Sequence, residues 1–139
     1  MQRRPLEVRR FWRVAQERYD DAEFLIGEER ARAAVYIGGY CVECSLKALI
    51  VAATPEARIA DAVEGWKRGG GHDLEGLMRQ YVRASGLSIP RDVQRHLMRV
   101  NGWRVEMRYD SGGTQPAHAT DFLQSTRAIM DWARGRLSP

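Results

Sequence analysis

A chain of 139 residues that is 44% hydrophobic can close one apolar core but is too short for two, so a single domain over residues 1–139 is expected. The formal net charge of +4, from 22 basic and 18 acidic side chains, admits an anionic partner. The charged start MQRRPLEVRRFWR and the interruption of the most apolar run by Glu43 and Lys47 argue against a signal peptide or a membrane span, and two cysteines three residues apart argue against a secreted disulfide scaffold. A cytoplasmic protein is expected.

From Leu6 to about Gly27, Val8, Phe11, Trp12, Ala15, Tyr19, Ala22, Leu25 and Ile26 follow the three-and-four spacing of one helical face. From about Arg30 to Ala53 the chain is apolar on nearly every side, which predicts a central helix touched all round. Gly38 and Gly39 inside it each cost about 1 kcal/mol of helix propensity relative to Ala, so they are expected to admit another element closely. Thr54-Pro55 ends this helix. A short helix is expected to Lys67, then the triglycine of residues 69–71, and a helix opened by His72 or Asp73 through Leu74, Leu77, Met78, Tyr81 and Val82. Pro90 suits the first turn of a helix carrying Val93, Leu97, Met98 and Val100, expected to be interrupted at Asn101-Gly102 before the short segment WRVEMRYD. Thr114-Gln115-Pro116 begins a last helix whose face is Ala119, Phe122, Leu123, Thr126, Ile129, Met130 and Ala133. The expected fold is all-α, an antiparallel four-helix bundle with short extra helices.

The segment GYCVECSLKALI holds both cysteines as CxxC. A redox CxxC opens a helix after a strand, and a zinc site needs about four ligands, neither of which the sequence supplies, so Cys41 and Cys44 read as core thiols without metal. Glu43 and Lys47 stand four apart in the order that favours a helical ion pair, with Tyr40 one turn before Glu43. Two readings stay open there: a structural polar cluster and a functional pocket.

YIGGYCVECSLKALI resembles the second-helix signature of HEPN domains, in which a Glu stands three residues before an apolar-Lys-Ala-Leu run. Asp20-Asp21-Ala22 with Leu25 in the first helix, His72-Asp73-Leu74 with Leu77 after a loop, the segment from Trp103 to Arg108-Tyr109 and a closing helix are similar in order. The resemblance implies a helical bundle, a homodimer, and an RNA- or nucleotide-directed function. One form would be a metal-independent endoribonuclease toxin paired with a nucleotidyltransferase antitoxin; the alternative is a noncatalytic nucleotide-binding or dimerising adaptor. No cofactor and no membrane association are implied.

Ribonuclease members carry Arg and, four to six residues later, His, where Arg would stabilise phosphoryl charge and His would move a proton. Arg91 and His96 match that spacing, although a rotation of about 140° separates them on a regular helix. The tyrosine found two positions after the His in some members is Met98 here. Arg104 and Arg108, one turn apart and flanked by Trp103 and Tyr109, can bind phosphate while an aromatic stacks on a base, or can pack structurally with Arg108 on Glu43. His72 beside the triglycine can help hold an anion at a helix start. Tyr40, Glu43, Lys47, His72, Arg104, Arg108 and Tyr109 are therefore the expected nucleotide- or RNA-binding set. Arg3, Arg4, Arg9, Arg10 and Arg13 form an N-terminal basic cluster that can guide an anionic partner or be a solvated face.

Overall fold

The computed structural model describes residues 4–109 and 114–138 and, for residues 105–109, the backbone alone. The fold is all-α, with six helices among the described residues, in chain order: α1 (Leu6–Gly27), α2 (Ala31–Ala52), α3 (Glu56–Arg68), α4 (Leu74–Ser85), α5 (Arg91–Tyr109) and α6 (Pro116–Leu137). Four of them are long and α3 and α4 are short.

Val8, Trp12, Ala15 and Ala22 are the buried stripe of α1. They recur at helical spacing and lie along α2, which returns after a connection of three residues as the second arm of a hairpin. The burial of α2 runs around its circumference, from Val35 through Val42 and Leu46 to Leu49 and Ile50, because α1, α4, α5 and α6 all touch it. This helix is long and apolar enough to cross a membrane, with a mean hydropathy of 1.5 over 18 residues, yet 72% of that window is buried inside the protein. Neighbouring helices consume its apolarity.

Two glycines set how closely the neighbours approach. A Cβ on Gly38 would lie 2.8 Å from Cε1 of Phe122, a fully buried ring on α6, and a Cβ on Gly39 would lie 3.1 Å from Nε of Arg104 on α5. The first lets α6 seat against α2; the second leaves a channel for an arginine stem.

The expected interruption at Asn101-Gly102 is absent: α5 runs unbroken from Arg91 to Tyr109. Asn and Gly are poor helix formers by about 1 kcal/mol or less each, and tertiary packing on both sides outweighs that. Val100 is fully buried, and the Trp103 ring packs on Phe122 with centroids 5.5 Å apart. Pro90 stands just outside the helix and accepts the Gln94 N–H at 2.9 Å, whereas Pro116 occupies the first turn of α6. The short α3 is held by Trp66, whose Nε1 donates to Oε1 of Gln80 on α4 at 2.9 Å and whose ring meets Phe11 of α1 edge to face at 5.6 Å.

Candidate functional site

Glu43 is 1% exposed on the inner face of α2. A carboxylate there must be paired, because an isolated buried charge is prohibitive. Its partners come from far along the chain. Arg104 of α5 donates through Nη2 to Oε1, and His72, which precedes α4, donates from Nδ1 to Oε2 at 2.9 Å. Arg104 Nη1 also reaches the His72 carbonyl at 3.5 Å. The expected helical pair with Lys47 does not form. Lys47 instead places Nζ 5.4 Å from the centroid of Trp66, a cation over an aromatic face.

The α3–α4 connection makes the His72 contact possible. Gly70 has φ 78°, a left-handed conformation that glycine adopts without a Cβ penalty. Gly71 is buried, and a Cβ on it would lie 3.1 Å from the Trp66 carbonyl and 3.3 Å from Lys47 Nζ. The turn therefore folds tightly over Trp66 and Lys47 and delivers His72 onto Glu43. With Nδ1 committed to the carboxylate and 71% of the side chain exposed, His72 presents Nε2 outward.

Tyr40, one turn before Glu43 on α2, meets the His72 ring edge-on at 6.3 Å and the Tyr36 ring edge-on at 5.6 Å, and the two phenol oxygens are 3.2 Å apart. The hydrogen bond with Tyr36, followed by burial, raises the Tyr40 phenol above its ordinary value, so it stays a neutral hydroxyl in physiological conditions. Tyr36 is 59% exposed. Both tyrosines, His72 and Arg104 line one open groove of about 1260 Å³ that extends to the start of α2 at Arg30 and to Asn101 on α5. Across it, Asn101 donates to Glu75 at 3.4 Å. The groove thus offers a guanidinium, an imidazole oriented by a carboxylate, and an aromatic edge with an exposed ring, a set suited to a phosphate with a base beside it.

Tyr40, Glu43, His72 and Arg104 thus converge, and Lys47 lies behind them at Trp66. The side chains of Arg108 and Tyr109 lie outside the described residues. Arg91 and His96 do not converge: Arg91 is exposed at the first position of α5, whereas half-buried His96 turns to α6, its Nδ1 3.0 Å from the buried Ser125 Oγ. Sequence reasoning missed the direct link between Arg104, His72 and Glu43. Its only signal was a lone acid in an apolar helix, which says that partners exist but not where. Tyr36 was missed too, because an aromatic in an apolar run reads as core. Cys41 is buried, Cys44 half-buried, and both are free thiols. Burial raises both, pushing Cys44 up to about 11. Among the described residues no three His, Cys, Asp or Glu side chains gather as a metal-binding group.

A family model described as the HEPN domain matches residues 8–136. Neither curated proteins nor solved structures match the chain.

Proposed function

The chain belongs to the HEPN domain family, and from that premise we propose that it binds RNA or nucleotide phosphates in the groove at Arg104 and His72 and cleaves RNA there without a metal ion, as the toxin-like half of a pair with a nucleotidyltransferase antitoxin. Membership carries a ribonuclease or nucleotide-related function in general terms. The observation that supports the specific reading is the single carboxylate, Glu43, that orients both a guanidinium and an imidazole at the wall of an open groove.

In this reading Arg104 lends positive charge to the phosphoryl oxygens, where charge grows in the transition state. His72 Nε2 accepts the proton of the ribose 2′-hydroxyl, and Glu43 stabilises the imidazolium that results. The 2′-oxygen forms a bond to phosphorus as the P–O5′ bond breaks. The products are a 2′,3′-cyclic phosphate and a 5′-hydroxyl that takes its proton from water.

A second reading, a noncatalytic nucleotide-binding or dimerising adaptor, is favoured by one observation: His72 is the one imidazole lining the groove among the described residues, whereas efficient transphosphorylation uses both a base and an acid. Incubating the protein with a labelled oligoribonucleotide in excess EDTA separates the two. Cleavage is expected, lost in His72→Ala and Arg104→Ala and kept in Arg91→Ala and His96→Ala. Activity that vanishes in His96→Ala but survives His72→Ala would sink this assignment, and saturable nucleotide binding with no turnover would establish the adaptor.

A further inference from the structure

An acid on the wall of a groove that takes a phosphate works against its ligand, yet Glu29, Asp73 and Glu75 all line this one. Glu29 belongs to the turn between α1 and α2, and the Asp73 carboxylate lies over the first turn of α4, 3.9 Å from Arg79 and 2.7 Å from where a Cβ on Gly76 would stand. Glu75 is placed differently. It is exposed in the first turn of α4, and its partner among the described residues is no cation but the Asn101 amide, which donates from Nδ2 to Oε1 across the groove at 3.4 Å.

This pair stands beside the groups assigned to the phosphate. Asn101 precedes Arg104 by three residues on α5, one helical turn, and Glu75 follows His72 by three residues at the start of α4. The same two stretches of chain therefore supply both pairs. The bond from Asn101 to Glu75 uses one amide hydrogen and one carboxylate oxygen, so the second Nδ2 hydrogen, further lone pairs on Oε1 and the whole of Oε2 stay available. In order across the groove they present a donor and two acceptors.

That order is the complement of one base edge. The Watson–Crick edge of guanine offers an acceptor, O6, followed by two donors, N1–H and the N2 amine. Adenine and cytosine each offer one donor beside a ring nitrogen lone pair, and uracil offers one donor between two carbonyls, so each sets a lone pair against the carboxylate. Stacking on an exposed ring such as Tyr36, 59% exposed, accepts any base, whereas a hydrogen-bonded edge discriminates.

We infer that Glu75 and Asn101 select guanine in the nucleoside attached to the phosphate at Arg104 and His72, the Glu75 carboxylate accepting from N1–H and the N2 amine and the Asn101 amide donating to O6. This rests on the groove being the site for RNA or nucleotide phosphates, and it adds which base that site takes.

The test titrates dinucleotides that carry a 2′-deoxy sugar before the phosphate, and so cannot be cleaved, into the wild-type protein, Glu75→Gln and Arg104→Ala. In the wild type the tighter of GpU and UpG is expected to bind about tenfold better than UpU, ApU, UpA, CpU or UpC, the effect of one bidentate contact to a base edge. The inosine counterpart, which keeps N1–H and O6 but lacks the N2 amine, should fall between. Glu75→Gln removes a negative charge, so overall affinity should hold or rise while the ratio of guanine to uracil affinity falls to near one. That ratio separates base reading from a structural role, which would weaken every dinucleotide alike. Arg104→Ala should weaken all of them and leave the ratio unchanged. Equal affinity for all bases in the wild type, with binding lost in Arg104→Ala, would overturn guanine selection and leave the groove reading standing. A guanine preference that survives Glu75→Gln would also overturn it. A preference lost in Glu75→Gln, with full affinity in Arg104→Ala, would support the base contact and overturn the phosphate assignment. Absence of binding by every dinucleotide would overturn the groove reading and the selection together.

Discussion

Glu43 occupies a place that packing alone would give to leucine: it is 1% exposed and surrounded on its own helix by Val42, Leu46 and Tyr40. Its tolerance there comes from two partners, so the amide that matches its shape should not replace it. Glu43→Gln keeps the volume but leaves the quarter-exposed Arg104 guanidinium without its counter-charge and His72 without its anchor. Removing one member of a buried pair costs a few kcal/mol, here about 2–3 because Arg104 retains some water. Chemical denaturation should show that loss, and nucleotide binding should fall with it. A variant of wild-type stability would mean that Glu43 does not hold the pair. The thiols allow a pH prediction. Burial raises Cys44 from 9.0 up to about 11 and raises Cys41 as well. Below pH 9 folded and unfolded chains both keep their thiols protonated, and the full stability is present. Between about pH 9 and 11 the unfolded chain releases protons that the folded chain retains, so unfolded protein binds fewer protons and stability falls as pH rises. Replacing both cysteines with alanine should flatten that part of the stability profile measured in urea.

At the scale of the helices, the same glycine residue type has opposite consequences at different positions. Gly102 is exposed in mid-helix and a Cβ there meets nothing within 4 Å, so Gly102→Ala should stabilise the protein by about 1 kcal/mol. A neutral or negative effect on the urea midpoint would indicate a break in α5 at that point. Gly38→Ala gains the same propensity but drives a methyl against the buried Phe122 ring, and overpacking of about 1–3 kcal/mol should dominate. These two positions also show what a sequence can and cannot say. Helix ends were legible because they are local: Pro55, Pro90 and Pro116 fix entries, and the apolar spacing fixes the faces of α1, α4 and α6. The continuity of α5 was not, because Asn101-Gly102 signals a break locally, while Trp103 packing on Phe122, which holds the helix together, is a contact across 19 residues of chain. The site followed the same rule. Glu43 stood out as an acid in an apolar run, and spacing offered Lys47 as its partner. Its actual partners stand 29 and 61 residues away, where no periodicity reaches.

At the scale of the whole molecule, the groove joins parts of the chain that would otherwise meet only through the core. Tyr36 and Tyr40 come from α2, His72 from the α3–α4 connection, and Asn101 and Arg104 from α5. A ligand held by all three binds the folded chain and not the unfolded one, because the unfolded chain has no such groove. Its binding free energy then appears as global stability by mass action. At a nucleotide concentration one hundred times its dissociation constant the gain is about 2.7 kcal/mol. For a chain of this length each kcal/mol moves the melting temperature by about 3–5 °C, so the midpoint should rise by about 10 °C. Because the three contributing elements span the core, far-ultraviolet circular dichroism and tryptophan fluorescence should report the same shift, Trp66 lying beside the connection and Trp103 on α5 itself. Arg104→Ala should abolish the shift at the same ligand concentration. A rise seen by fluorescence alone would indicate a ligand that orders only the α3–α4 connection, and a full shift in Arg104→Ala would place the phosphate elsewhere.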